Sequence, residues 1–206
     1  MKATKVRIYP KEQAEFLIGQ FGAVRFAYNQ ALRIKRHRYK MHGENLNVRM
    51  DIKPLLSVAK KSRRYDWLRK YDSSALQQSV LNLEKAFKNF FNKKLTAKYP
   101  RFKNKHKHNK SYHCTSIHVF DNAIKIPKIK TPIKAKIHRE ISGKLLSITL
   151  SMLSTGQFYV SILTHDVEEK KELPKSIDKN KAIGIDLGLS HFAIQSNSKK
   201  HLIQDF

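Results

Sequence analysis

The stretch Lys181-Ala-Ile-Gly-Ile-Asp-Leu-Gly-Leu-Ser-His-Phe-Ala-Ile194 predicts a short buried strand that ends in an acidic residue. The strand covers 182–185 and Asp186 stands at its end. A turn follows over 188–190, and a second strand covers 192–195. Because glycines flank the acid on both sides, a metal-bound phosphate can approach the backbone closely there. A carboxylate leaving an apolar strand needs a partner, and either a divalent metal or the turn amides of a hairpin can serve.

Basic residues outnumber acidic ones, and they are distributed unevenly. Lys plus Arg number 42 against 16 acids, which gives a formal net charge of +26. Residues 25–139 carry 30 basic residues and 6 acids, whereas residues 140–206 carry 8 of each. Charge concentrated in one region predicts a polyanionic partner, and nucleic acid is the leading candidate. A structural RNA-binding protein would have the same charge.

Several classes of protein are disfavoured by simple features of the chain. The single Cys114 excludes a disulfide framework and a multi-cysteine zinc site. The basic residues near the start are followed by no apolar run, so no signal peptide is expected. Residues 145–164 are uncharged, but polar residues interrupt them with the period of a strand, which argues against a membrane span. A cytoplasmic protein is expected.

A long helix is predicted after an opening strand that ends at Pro10. Apolar residues recur at three- and four-residue steps from Ala14 to about Leu32, the pattern then becomes basic, and Gly43 ends the helix. A charge run is usually a solvated face, but one this one-sided repels itself without an anionic partner. The residues expected to contact nucleic acid here are Arg25, Tyr28, Asn29, Arg33, Lys35, Arg36 and Arg38.

A second helical region is less regular over 46–71 and regular afterwards. Trp67 is expected to fill a small helical core, with base stacking as the alternative. Ser74 and Gln77 predict a capping box that opens a helix with one apolar stripe. On its other side, Gln77 and Gln78 are candidates for hydrogen bonds to base edges, although ordinary solvent-facing polar residues would show the same pattern.

A basic loop is predicted over 98–110, which has no helical or strand periodicity. Its cations alternate with Tyr99 and Phe102, an arrangement that suits contacts to phosphates and stacking on bases. The nearby histidines lack a cysteine or acid and indicate phosphate contacts or exposure rather than a metal site. The predicted nucleic-acid contacts in this loop are Arg101, Lys103 and Lys105.

Short strands are predicted from Thr115 onward, with turns between them. Several antiparallel strands in about fifty residues suggest a small barrel of the oligonucleotide-binding kind. The predicted strands cover residues 117–120, 123–126, 133–137, 145–153 and 158–163.

The motif G-I-D-L-G-L-x-x-F-A at 184–193 resembles the first catalytic motif of RuvC-type nucleases, which have the ribonuclease H fold. More narrowly, the chain resembles the TnpB (OrfB) family of transposon-encoded nucleases. The phosphate loop of actin-like ATPases is a weaker match, since it usually opens a chain. The other segments that carry the resemblance are 7–10, 21–29, 86–91, 99–103 and 156–161.

The resemblance implies an α+β architecture: a wedge-like small β-barrel interrupted by a helical lobe, then the first hairpin of a RuvC domain. It implies guide RNA and DNA as partners, and Mg²⁺ or a similar divalent cation as the cofactor of the full-length nuclease. The implied parts are a first wedge strand (1–12), a helical recognition lobe of helix-turn-helix type (13–95), the rest of the wedge barrel (96–166), a linker (167–180) and the start of the nuclease domain (181–206).

The catalytic set implied by the resemblance is incomplete in this sequence. The family uses an Asp on the first strand, a later Glu and a final Asp, and only Asp186 has a counterpart. The family's four-cysteine zinc element has no counterpart either. We therefore expect a truncated chain that does not cut DNA alone and does not hold the metal stably. Two alternatives stay open: a nuclease-dead, RNA-guided DNA-binding repressor, and a structural RNA-binding protein.

Overall fold

The computed structural model describes residues 1–105, 110–165, 182–188 and 191–201. The chain divides into two compact units, Met1–Val167 and Glu168–Phe206. The first unit combines one large antiparallel sheet with two long helices. This confirms the predicted α+β class.

The first strand, β1 (Lys2–Tyr9), lies inside the sheet although it opens the chain. Buried residues alternate with exposed ones along it, as expected for a strand with one solvated face. It pairs antiparallel with β7 (Phe158–His165) on one side, where Val6 faces Val160, and with β5 (Ile133–Lys136) on the other, where Ile8 faces Ala135. The predicted opening strand is confirmed. Both of its partner strands lie more than 120 positions further along the chain.

The sheet has seven strands in the order β2-β6-β7-β1-β5-β4-β3. Its edge strands β2 and β3 are neighbours in sequence, since only residues 115–117 join them. Four residue steps span at most about 14 Å, so the sheet must curl to bring its two edges together. The result is a curled half-barrel. The remaining strands are β2 (Lys110–Cys114), β3 (His118–Phe120), β4 (Ala123–Lys125), β5 (Ile133–Lys136), β6 (Lys144–Met152) and β7 (Phe158–His165).

Five of these strands confirm the sequence prediction, and one was missed. Strand β2 falls in a segment that was predicted to be partly loop and partly unassigned. Its buried Tyr112 and Cys114 alternate with Ser111 and His113, so a short period-two signal was present. The lysines and histidines that precede the strand obscured this signal.

Three helices lie between β1 and β2: α1 (Ala14–His42), α2 (Leu55–Ala59) and α3 (Ser73–Phe91). A π-helical turn at Val48–Ile52 and a 3₁₀ turn at Asp66–Lys70 complete the helical region. Helix α1 ends as predicted at Gly43, which has φ of 69° and donates its N–H to the Tyr39 carbonyl at 3.0 Å. Glycine adopts this left-handed conformation without a side-chain penalty, so it stops the helix at this point.

Helix α3 begins differently from the prediction. Its N-cap is Asp72, whose Oδ1 accepts a hydrogen bond from the Ser74 N–H at 3.0 Å, so the predicted capping box of Ser74 and Gln77 is wrong. An aspartate satisfies the free N–H groups of a first turn as well as serine does. The predicted apolar stripe is confirmed, since Leu76, Val80, Leu83 and Phe87 are buried and Phe90 is half-buried.

Phe21 on α1 connects the helices to the sheet. Its ring centroid lies 5.5 Å from that of Tyr112 on β2 and 6.5 Å from that of Phe158 on β7. All three side chains are buried, so the helices cover the inner side of the sheet at this point. Buried Cys114 on β2 has a thiol pKa raised to about 12, chiefly by burial, as expected of a filler rather than a nucleophile.

Trp67 takes an intermediate position between the two predicted roles. Its ring packs edge-on against Phe26 at 5.2 Å and Tyr71 at 6.1 Å, yet the residue is 41% exposed. It therefore belongs to an aromatic cluster at the rim of the helical core.

The second unit contains three short strands in the order β10-β9-β8. These are β8 (Ile185–Asp186), β9 (Ala193–Gln195) and β10 (Lys200–His201), so the predicted hairpin around Asp186 is present in shortened form. The predicted burial of the first strand is wrong, because Ile183 and Ile185 are 58% and 62% exposed. No second layer covers these side chains among the described residues of this unit.

Some predictions cannot be compared with the structure. The predicted linker (167–180) and the turn residues 189–190 lie outside the described residues, as do His106 and His108. The assignment of the second unit to the ribonuclease H fold stays a prediction.

We expect Phe21→Ala to lower the free energy of unfolding by about 3–5 kcal/mol, because it removes a buried ring that touches both α1 and the sheet. Urea unfolding followed by circular dichroism measures this change. Ile18→Ala is the matched control on the same helix, since Ile18 is 48% exposed, and it should change stability by less than about 1 kcal/mol. Equal effects of the two substitutions would contradict the assignment of Phe21 as the contact between helix and sheet.

Candidate nucleic-acid interface

One side of α1 carries a line of polar and basic residues. Arg25, Asn29, Arg36 and Lys40 are separated by four, seven and four positions, so they lie along one side of the helix. Arg25 and Asn29 are half-buried, whereas Arg36 and Lys40 are exposed. No aspartate or glutamate occurs between residues 16 and 43. This side of the helix therefore has a positive charge with no acidic neighbour on α1.

A second basic segment, residues 96–105, lies against this side of α1; we call it the strap. It has no helix or strand. Asn29 fixes it, because its Nδ2 donates to the Lys103 carbonyl at 3.0 Å and its Oδ1 accepts from the Lys103 N–H at 2.8 Å. The side-chain amide thus pairs with the strap backbone as a neighbouring strand would.

Two contacts between cations and aromatic rings extend this attachment. The Lys103 ammonium lies 4.3 Å from the centroid of the Tyr28 ring, and the Arg36 guanidinium lies 5.5 Å from that of Phe102. Both distances fall within the range of cation–π attraction. In the first contact the strap provides the cation and α1 the ring, and in the second these roles are exchanged.

Burial affects the ionisable groups at this junction. Although the Lys103 residue as a whole is exposed, desolvation of its ammonium lowers its pKa. Burial also raises the pKa of the Tyr28 phenol, which is therefore neutral at pH 7. The Lys103 ammonium therefore lies against a neutral ring, that of Tyr28.

A pocket of about 200 Å³ opens where α1, the strap and β2 meet. Its lining includes apolar side chains and three cations, so it combines surface for a base or sugar with charge for a phosphate. It is lined by Phe21, Val24, Arg25, Lys103, Asn104, Lys110 and Ser111. Lys110 belongs to the predicted basic loop but was not singled out as a contact, and Ser111 was missed because strand β2 was not predicted.

The structure separates the predicted residues into groups. Arg33 on α1 and Arg101 and Lys105 on the strap are exposed, as contacts to a polyanion require. Tyr28 is buried and Asn29 is engaged with the strap backbone, so both support the surface from beneath. Direct contact of these two residues with nucleic acid stays a prediction.

Lys35 occupies a different side of α1 and is also engaged. Its ammonium donates to Asn45 Oδ1 at 2.6 Å and to the Leu46 carbonyl at 2.5 Å, and it lies 5.1 Å from the Phe87 ring centroid. Burial lowers its pKa, although nearby Asp51 acts in the opposite direction. Lys35 of α1 thus contacts both the segment that follows α1 and helix α3.

The remaining predicted contacts are less constrained. Arg38 lies 3.8 Å from Glu44, an exposed ion pair of small energetic value. Gln77 is exposed on α3, and Gln78 donates from Nε2 to Asn82 Oδ1 at 3.2 Å. The two glutamines thus belong to a helix other than the one that carries the basic line.

The candidate catalytic and metal-binding residue Asp186 is exposed at the end of β8. It is the sole acid among the described residues of the second unit. Across the described part of the chain, no three His, Cys, Asp or Glu side chains are grouped so that they could hold a metal ion. A single exposed carboxylate does not meet the ligand requirement of Mg²⁺, so these residues do not fit the cofactor of the full nuclease.

The described helices include none with the length and apolar character needed to cross a membrane.

Parts of this chain match known proteins. The helix-turn-helix domain of OrfB proteins of the IS605 group matches residues 1–44, which contain β1 and α1. The virulence protein VsdF of Salmonella dublin is 58% identical over 113 residues, which cover 52% of this chain and 95% of that protein.

Two longer relatives match almost the whole chain. A proposed RNA-guided DNA endonuclease of Streptomyces pristinaespiralis is 30% identical over 205 residues, covering 97% of this chain and 49% of that protein. The proposed RNA-guided DNA endonuclease InsQ of Escherichia coli K12 is 28% identical over 200 residues, covering 96% and 48%. The chain thus spans about half the length of these two relatives.

These matches define a protein of the insertion-sequence class that carries a helix-turn-helix domain. Within that class, the chain belongs to the TnpB (OrfB) family.

We expect Asn29→Ala to loosen the strap, because it removes both hydrogen bonds to Lys103. Losing about 1–2 kcal/mol of local stability should speed tryptic cleavage within residues 101–105 about tenfold. Mass spectrometry of timed digests measures the rate. Gln78→Ala is the matched control, since that amide bonds only within α3 in the structure described. Unchanged cleavage in Asn29→Ala would contradict the attachment.

Proposed function

We propose that residues 1–206 form the nucleic-acid-binding part of an insertion-sequence protein of the RNA-guided endonuclease type. The observation that carries this proposal is the junction of α1 and the strap. Two segments that are far apart in sequence are joined by Asn29 and Lys103, and no acid occurs in residues 16–43 or in the strap. Mutual repulsion between these segments favours a polyanion as the bound partner.

Roles can be divided among the residues of this surface. Exposed Arg33, Arg36, Arg101 and Lys105 are suited to phosphate contacts, which fix position but carry little sequence information. Gln77 and Gln78 offer amides that can pair with base edges in a groove. Lys35 supports the fold instead, because its donors are directed to Asn45 and Leu46.

Guide RNA and target DNA are the partners that we propose for this chain. The two longer relatives are described as RNA-guided DNA endonucleases, and the match to each extends over nearly the whole of this chain. The test is to purify the 206-residue protein from cells that carry the insertion sequence and to sequence the bound RNA. A discrete RNA from the element would support the proposal, whereas only bulk cellular RNA would favour a general RNA-binding protein.

We further propose that these 206 residues do not cleave DNA alone. Phosphodiester hydrolysis of this type uses two divalent cations about 4 Å apart, held by several carboxylates. Asp186 is the only carboxylate described in the second unit, and Asp205 lies outside the described residues. The apolar Ile183 and Ile185 beside Asp186 are exposed among the described residues of this unit.

Charge reversal on α1 tests the interface. The pair Arg33→Glu and Arg36→Glu should weaken duplex DNA binding and reduce the slope of log affinity against log salt by about 2, because each lost phosphate contact removes about 0.9. Fluorescence anisotropy at several salt concentrations measures the slope. The control pair Lys61→Glu and Lys70→Glu makes the same charge change at exposed sites between α2 and α3. An equal loss in both pairs would indicate a net-charge effect and contradict the assigned interface.

The proposed absence of cleavage has its own test. In Mg²⁺, with guide RNA and target DNA supplied, both the 206-residue protein and its Asp186→Ala variant should leave the DNA intact, and their DNA affinities should agree within about twofold. Gel analysis of labelled DNA and anisotropy measure the two quantities. Cleavage that disappears in Asp186→Ala would show that these residues assemble a complete site.

A further inference from the structure

Lys103 differs from the other partly desolvated lysines of this chain. Among the described residues, burial lowers the pKa of Lys35, Lys60 and Lys103. The Lys35 ammonium donates to two oxygen acceptors, and the Lys60 ammonium donates to Ser73 Oγ at 2.6 Å. Such acceptors favour the protonated form of an amine. The Lys103 ammonium instead lies against the ring of Tyr28, 4.3 Å from its centroid.

The position of Lys103 is fixed at both ends of the residue. Asn29 pairs with its backbone N–H at 2.8 Å and with its carbonyl at 3.0 Å. Tyr28, the preceding residue of α1, contacts the end of its side chain. Two successive residues of one helix thus hold this lysine beside the pocket between α1, the strap and β2.

The pocket itself places the Lys103 amine among apolar side chains and further cations. Its volume is about 200 Å³, and Phe21 and Val24, which are both buried, belong to its lining. Arg25 and Lys110 also line it, and the described lining includes no aspartate or glutamate. An apolar surrounding favours the neutral amine because it solvates a charge poorly. A neutral lysine amine is a nucleophile that forms imines with carbonyl compounds.

The electrophile that such an amine meets in DNA is an aldehyde. In an intact nucleotide the sugar C1′ is bonded to a base, whereas loss of the base allows the sugar to open and expose an aldehyde at C1′. An abasic residue has no base to stack or pair, so it leaves the duplex at low energetic cost. The pocket is of a size for one sugar, and Arg25 and Lys110 provide charge for the phosphates on its two sides.

We propose that Lys103 forms an imine with the C1′ aldehyde of an abasic site and gives this protein an abasic-site lyase activity. The inference rests on the proposed function, because DNA must first bind at the junction of α1 and the strap. It adds a reaction to that function, since the strand is broken by elimination and not by hydrolysis of a phosphodiester.

The reaction balances without an oxidant or a reductant. The amine adds to the aldehyde carbon, and the carbonyl oxygen leaves as water. The imine then loses its C2′ proton to water, and the electron pair of that C–H bond becomes part of a C2′=C3′ double bond. The C3′–O bond breaks, and its electron pair stays on the departing phosphate. Hydrolysis of the imine returns the amine of Lys103, leaving an unsaturated aldehyde on one DNA fragment and a 5′-phosphate on the other.

Borohydride trapping on the full 206-residue chain tests the inference. A labelled duplex that contains one abasic site is incubated with the protein and sodium borohydride, which reduces an imine to a stable secondary amine. Mass spectrometry of the digested product identifies the attached lysine. We expect Lys103 to be the main site of attachment. Without borohydride, we expect cleavage at the abasic site that leaves a 5′-phosphate.

A conservative variant separates nucleophile from charge. Lys103→Arg keeps the positive charge and the backbone groups that pair with Asn29, but its guanidinium stays protonated. At protein concentrations that saturate the DNA, trapping should fall about tenfold. Lys61→Arg is the matched control, because it makes the same change at an exposed site between α2 and α3. It should be trapped as efficiently as the wild-type protein.

A binding measurement distinguishes failure of this inference from failure of the proposed function. Fluorescence anisotropy with a duplex that carries a tetrahydrofuran analogue, which has no aldehyde, reports DNA binding alone. Binding together with attachment spread over the exposed lysines would overturn the lyase inference and leave the proposed function intact. Equal trapping of Lys103→Arg and the wild-type protein would have the same meaning. Absence of DNA binding by the wild-type protein would overturn both.

Discussion

The short connection between β2 and β3 constrains the whole first unit. These strands form opposite edges of a seven-stranded sheet, yet residues 115–117 are all that joins them. A flat sheet of seven strands would separate its edges by about 29 Å, which three linking residues cannot span. The sheet therefore curls, directs alternate side chains toward its concave side, and presents the others on a convex exterior. The helices are inserted between β1, the middle strand of the sheet, and β2, an edge strand three positions away.

Local signals in the sequence predicted most elements of the fold because those elements follow from local physics. Helix α1 follows from the spacing of apolar residues and from Gly43, and most strands follow from alternation and turn residues. The errors have equally physical causes. Asp72 and Ser74 are both good caps, and sequence alone does not decide which backbone position ends the preceding turn. The exposure of Ile185 depends on which layers surround it, and an apolar strand pattern does not contain that information.

The candidate site shows a similar division between composition and geometry. Charge statistics predicted that α1 and the strap are basic, but they could not distinguish exposed Arg36 from engaged Lys35. The pairing of Asn29 with Lys103 joins positions 74 residues apart, and no local pattern predicts such a contact. Once this pairing is known, the buried Tyr28 is understood as support for Lys103. The basic residues of β1 were also visible in the sequence, but only the burial pattern and strand register show on which side of the sheet they lie.

The position of β1 in the sheet has a consequence for synthesis of the chain. Val6 pairs with Val160, so the first strand made by the ribosome waits for one of the last strands of its unit. During that interval the helical region can fold through local contacts, whereas β1 has unsatisfied backbone groups on both sides. The nascent chain therefore passes through a stage in which an alternating apolar strand is exposed. The lysines and arginine of β1 would protect it then against pairing with other chains, in addition to any role in the finished protein.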